Sequence, residues 1–105
     1  MADFVRATCP ADKGITDAVD IGHNTWISPK LDKDGNEIGV VEWHDCAHDF
    51  QGAGVYFDDE AARRMWPRGP FWTVESRDPL TISPSVACGS CSHHGYIRNG
   101  RWEPC

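Results

Sequence analysis

Two short segments crowded with cysteine and histidine constrain this chain more than anything else in its 105 residues. The first, Trp43-His44-Asp45-Cys46-Ala47-His48, carries a Cys-x-His unit. The second, Cys88-Gly89-Ser90-Cys91-Ser92-His93-His94-Gly95, carries both Cys-x-x-Cys and Cys-x-x-His. A tight turn brings residues two or three apart to one side of the chain. Each segment can therefore offer two ligands, and two such pairs complete the closed tetrahedral shell of a structural zinc. Thiolate and imidazole suit zinc or iron–sulfur and do not suit calcium or magnesium. Buried cysteines beside surface histidines would explain one isolated Cys-x-x-Cys. Two separate mixed clusters point instead to a transition metal. One candidate ligand set is Cys46, His48, Cys91 and His94. The other replaces a histidine with Cys88, giving three thiolates and one imidazole. His44 and His93 would stand behind the ligands as hydrogen-bond partners, or one of them would act as a base. Cys9 and Cys105 lie outside both clusters and read as ordinary thiols.

A metal staple matters at this length, because a chain of this size builds one thin-cored domain, here residues 1–105. Sixteen acidic against ten basic residues give a formal net charge of -6, a surface that repels phosphate backbones and argues against nucleic acid as a partner. No apolar run reaches the length that spans a bilayer, and Met1-Ala2-Asp3-Phe4-Val5-Arg6 lacks the pattern of a signal peptide. Five cysteines cannot all pair internally, so the expected setting is a reducing cytoplasm.

The remaining sequence predicts a small β-rich fold, mainly antiparallel, with one short helix. Segments rich in β-branched and aromatic residues place strands at Phe4–Thr8, Asn24–Ser28, Glu37–Trp43, Gly54–Phe57, Phe71–Ser76, Leu80–Ser83, Tyr96–Arg98 and Arg101–Glu103. Asn99-Gly100 predicts a type I′ hairpin turn, and Asp34-Gly35 a second hairpin. The helix is expected over Asp59–Trp66, capped by Asp58 or Asp59 and stopped by Pro67.

Two resemblances bear on function. Cys46-Ala47-His48 and Cys91-Ser92-His93-His94-Gly95 resemble the two boxes of Rieske iron–sulfur proteins, which implies a [2Fe–2S] cluster as the alternative to zinc. The 42 residues between the boxes, and the mere 11 that follow His94, favour zinc. The C-terminal two-thirds is more closely similar to an uncharacterised family of small bacterial and bacteriophage proteins. The matching residues are His44-Asp45-Cys46-Ala47-His48, Phe71-Trp72-Thr73-Val74, Leu80-Thr81-Ile82-Ser83-Pro84-Ser85-Val86 and Cys91-Ser92-His93-His94-Gly95-Tyr96-Ile97. That resemblance implies a metal-binding domain of phage genomes, or of bacterial loci near ubiquitin-like conjugation genes. It also implies Cys46, His48, Cys91 and His94 as ligands, and the cytoplasm of a bacterium or of a phage-infected host as location.

Three functions compete. The leading expectation is an accessory or binding module whose structural zinc presents a surface to another protein, with some of the five tryptophans as anchors. A zinc-dependent hydrolase comes second, with His44, His93 or Glu42 as base. Electron transfer through a Rieske-like cluster comes third. No complete catalytic motif such as His-Glu-x-x-His or Gly-x-Ser-x-Gly is present, which ranks a non-enzymatic role first.

Overall fold

The computed structural model describes residues 7–46 and 49–105. A short 3₁₀ turn, Pro10–Lys13, precedes nine strands and one helix: β1 Val19–Gly22, β2 Thr25–Leu31, β3 Glu37–Cys46, β4 Asp49–Phe57, α1 Glu60–Met65, β5 Phe71–Arg77, β6 Leu80–Ser83, β7 Val86–Ala87, β8 His94–Arg98 and β9 Arg101–Pro104. Strands β1 to β6 form one sheet in chain order, and β7, β8 and β9 form a second. Every pairing is antiparallel except β4 with β5, which is parallel and confined to Tyr56–Phe71 and Phe57–Trp72. The small β-rich, mainly antiparallel fold with one short helix is as the composition implied.

Local chemistry explains most of the connections. Asn99 (φ 53°) and Gly100 (φ 71°) turn the β8–β9 hairpin as expected for an Asn-Gly pair. Between β2 and β3, the Asp32 carboxylate accepts from the backbone N–H groups of Asp34 and Asn36, and Gly35 takes φ 85°. Asp59 caps α1 by accepting from the Ala62 N–H at 2.9 Å.

Three expectations need correction. The proposed strand Phe4–Thr8 falls mostly on residues 1–6, outside the described residues, and Ala7 and Thr8 are not in a strand. The turn between β1 and β2 is made by His23 (φ 55°) and Asn24 (φ 56°), so Asn24 ends a turn instead of opening a strand. β1 itself escaped notice because only Ile21 of its four residues is buried. β4 starts five residues earlier than expected, since Gly52-Ala53-Gly54 hides its strand character.

Strand alternation divides the first sheet into two faces. One carries Trp26, Trp43 and Phe50, with Trp43 stacked on Phe50 at 6.0 Å and Trp26 edge-on at 5.6 Å. The Trp43 ring lies where a Cβ on Gly52 would sit, 2.7 Å away, so this position admits only glycine. The other face begins in hydrocarbon, where Ile21, Val40, Val55 and Phe57 pack against Ile82, Val86, Ile97 and Trp102. Further along β3 the same face continues as Glu42, His44 and Cys46, all buried. The core thus passes from apolar to polar along one strand.

Candidate functional site

The site is built where that polar end of β3 meets the segment joining β7 to β8. Glu42, His44 and Cys46 stand two residues apart, so an extended strand projects all three to one side. From the opposite sheet, the Cys88 N–H donates to the His93 carbonyl at 2.9 Å, closing residues 88–93 into a tight loop. That loop lowers Cys88 and Cys91 onto β3.

The thiols of Cys46, Cys88 and Cys91 and the imidazole of His44 converge, with one ligand atom of each within 4.8 Å of all the others. Cys46 Sγ lies 3.6 Å from Cys88 Sγ, and Cys91 Sγ lies 3.4 Å from His44 Nε2. The Ser90 N–H points at Cys88 Sγ at 3.4 Å, inside the Cys-x-x-Cys turn. Such a group of thiols and imidazole could hold a metal ion.

The electrostatics set the members of this group apart. Burial alone would raise the Cys88 thiol. The Ser90 N–H and the neighbouring thiols and imidazole reverse this and bring it down to about 6. Cys46 is pushed up to about 12, by burial first and then by Cys88. Burial pulls His44 down, but its hydrogen bond and charge interaction with Glu42 prevail and hold it at about 9.

Glu42 is 2% exposed and divides its two oxygens between two imidazoles. His44 Nδ1–H donates to Oε2 at 2.7 Å, which turns Nε2 toward the thiols, and His93 Nε2–H donates to Oε1 at 2.8 Å. The His93 ring lies stacked between His44 (4.0 Å) and Trp102 (4.3 Å). Glu42, His44 and His93 also form a second grouping of possible ligand atoms.

Of the five residues proposed from sequence as ligands, Cys46, Cys88 and Cys91 are brought together. His48 lies outside the described residues. His94 stands elsewhere. It is exposed, and its Nε2 meets Ser85 Oγ at 2.8 Å. His44 takes the fourth place among the described residues, although its neighbours had suggested a supporting role. The signal for it was the period-two spacing Glu42-x-His44-x-Cys46 on a strand. Ser85 was visible only as part of a Ser-Pro-Ser string.

The Ser85–His94 pair sits on the outer face of the second sheet. Val86 pairs with Gly95 and Ala87 with His94, so Ser85 and His94 are diagonal neighbours on one side while Val86, Gly95 and Ile97 turn inward. Ser85 is further fixed through its carbonyl, which accepts from Trp72 Nε1 at 3.2 Å. Among the described residues no helix is long and apolar enough to cross a membrane.

A family model described as bacterial ubiquitination-like system serine protease (BubE) matches residues 24–105, more than three-quarters of the chain. No curated protein and no solved structure matches. The family match overturns the leading expectation of an accessory module defined by a structural zinc, because it assigns the chain to a protease family. It also removes support for a Rieske protein, whose second box would need His94 at the cluster and not at Ser85. The bacterial origin implied by the sequence resemblance agrees with the match, which brings in the protease character that the resemblance lacked. The chain belongs to the BubE family of bacterial ubiquitination-like system serine proteases.

Proposed function

We propose that this protein is a serine peptidase of a bacterial ubiquitination-like system, with Ser85 as nucleophile and His94 as its base. The observation that carries this reading is the 2.8 Å contact between Ser85 Oγ and His94 Nε2 on an accessible face, in a chain of a serine protease family. In the first step Ser85 Oγ attacks the carbonyl carbon of a peptide bond while His94 Nε2 takes the hydroxyl proton. The C–N bond then breaks, and His94 gives that proton to the departing amine. Water repeats the sequence, with His94 as base again, and releases the carboxylate from Ser85.

Glu42, His44 and Cys91 also lie in the order acid, base, nucleophile. Two features speak against that trio as the reactive one. Glu42 and His44 are 2% and 4% exposed, and Cys91 shares His44 with two further thiols. Such sequestration serves a ligand set.

For the metal, zinc is the proposed occupant, held by Cys46, Cys88, Cys91 and His44. A tetrahedron with Zn–S bonds of about 2.3 Å has edges of about 3.8 Å, and a shorter Zn–N bond of about 2.0 Å brings the S···N edge to about 3.5 Å. The 3.6 Å and 3.4 Å separations support that fit. Zinc would cross-link β3 to the 88–93 loop, whose far end carries His94. The proposed partner is a protein substrate of the same system, met in the bacterial cytoplasm.

The test is a fluorophosphonate, which modifies only an activated serine. A single adduct on Ser85, lost in Ser85→Ala and in His94→Ala, is expected by peptide mass spectrometry. An adduct elsewhere, or none, would refute the assignment.

A further inference from the structure

His94 is exposed, and among the described residues its ring has one hydrogen-bond partner, Ser85 Oγ. No carboxylate among them orients its other nitrogen, as one would in a triad, so the backbone beneath the ring sets its direction. That backbone has thin support of its own. β7 is two residues long, and its ladder with β8 consists of Val86 with Gly95 and Ala87 with His94. His94 is the first residue of β8, at the end of this short ladder. The bond from the Cys88 N–H to the His93 carbonyl adds one rung, and the Cys105 N–H donates to the His94 carbonyl at 3.0 Å from the β9 side.

The preceding residue is held much more firmly. The His93 ring lies between His44 at 4.0 Å and Trp102 at 4.3 Å, inclined to them by only 14° and 6°. Its Nε2–H donates to Glu42 Oε1 at 2.8 Å, and Thr25 Oγ1 lies 3.5 Å from the same nitrogen. The two stacked faces oppose movement along the ring normal, and the bond to a buried carboxylate opposes rotation in the ring plane. Thr25 belongs to β2, and Glu42 and His44 to β3, so this anchor ties the start of β8 to the first sheet. Ser85 has a counterpart, since its carbonyl accepts from Trp72 Nε1 at 3.2 Å and Trp72 lies on β5 of the same sheet.

We infer that His93 is the positioning residue for His94: its ring, clamped among Glu42, His44 and Trp102, fixes the backbone that delivers the His94 imidazole to Ser85. The inference rests on the Ser85–His94 assignment above. Adjacent residues of a strand project to opposite faces, so a His93 ring locked inward leaves the His94 ring one direction, outward. A general base misplaced by about 1 Å costs about a hundredfold in rate, which is the scale of effect a lost anchor should have.

The experiment follows fluorophosphonate inactivation of the full chain, in which Ser85 Oγ displaces fluoride from phosphorus while His94 takes the hydroxyl proton. It resolves the limiting rate, kinact, from the binding constant, KI, and metal content is measured on the same samples. His93→Ala is expected to lower kinact by about a hundredfold, with KI within about twofold of wild type and the metal retained. His93→Gln keeps an N–H for Glu42 without the stacking, and is expected to lose only about tenfold. A metal-replete His93→Ala variant that inactivates at the wild-type kinact overturns the inference, as does a loss carried by KI alone. If His93→Ala does not fold or hold metal, His93→Gln decides by the same two criteria. Loss of metal from both variants would mean that His93 serves the inner cluster and not His94, and the inference falls. Wild-type protein that is not labelled at Ser85 strikes the Ser85–His94 assignment instead, which separates the two failures.

Discussion

Residues 85–94 serve two regions of opposite character. Inward, Cys88, Cys91 and His93 join Glu42, His44 and Cys46 in a sequestered cluster of thiols, imidazoles and one carboxylate. Outward, ten residues of the same segment place Ser85 and His94 in contact on an accessible surface. His93 and His94 are adjacent in the chain yet belong to different regions, because successive residues at the start of β8 project to opposite faces. The comparison teaches that a Cys/His-rich string declares a chemical neighbourhood, while the role of each member depends on which way the backbone turns it.

The sharpest way to break this division is to exchange one residue from each side. His94→Ala is expected to lower peptidase activity by about a thousandfold or more while keeping its full metal content and thermal stability. Cys46→Ser should do the reverse in its primary effect. Metal content measured by mass spectrometry falls toward zero, and Tm drops by about 10 °C or more as the cross-link is lost. If His94→Ala releases the metal, the inward and outward regions are one site.

A smaller effect separates the cluster from what stands behind it. Glu42→Gln keeps all four proposed ligands but weakens the orientation of His44 and the hold on His93. Metal affinity, measured by competition with a chromophoric chelator, is expected to fall ten- to about a hundredfold. An unchanged affinity would make Glu42 a mere filler of the core's polar end.

The smallest expected effect is a pH dependence of the metal-free protein. His44 titrates at about 9 when folded, against an ordinary 6.5. A folded value raised above the unfolded one means stabilisation that is complete below about 6.5 and fades as pH rises through 9. The Cys88 thiol, at about 6 when folded against an ordinary 9, has the opposite slope in this window. The test therefore uses metal-free Cys88→Ser: its urea midpoints should fall between pH 6.5 and 9, and adding Glu42→Gln should flatten that slope. A midpoint that rises across the window would show that the Glu42–His44 pair is not what the titration reports.

Much of the fold was legible because its signals are local. Asn99-Gly100, Asp34-Gly35 and the Asp59 cap each specify their own turn or helix end with a few atoms. β1 and the early part of β4 were not, since Ile21 is the only buried residue of the one and Gly52 and Gly54 lower the strand propensity of the other. At the site, Cys46, Cys88 and Cys91 could be read from spacing alone. The fourth member among the described residues, His44, could not be ranked above His94. That choice depends on β3 being a strand through Cys46, which puts residues 42, 44 and 46 on one face. Ser85 was harder still, because its partner His94 is nine residues away and meets it only after β7 and β8 pair.

The family match begins at Asn24, the second residue of the first hairpin turn, yet Ile21 of β1 lies in the core at 1% exposure. The region shared with the family is therefore smaller than the unit that folds. A gene trimmed to the matched boundary would delete the hydrocarbon plug over Val40 and Val55 and bare the backbone of β2 to intermolecular pairing. For anyone cutting this protein down to its shared part, β1 is the piece to keep.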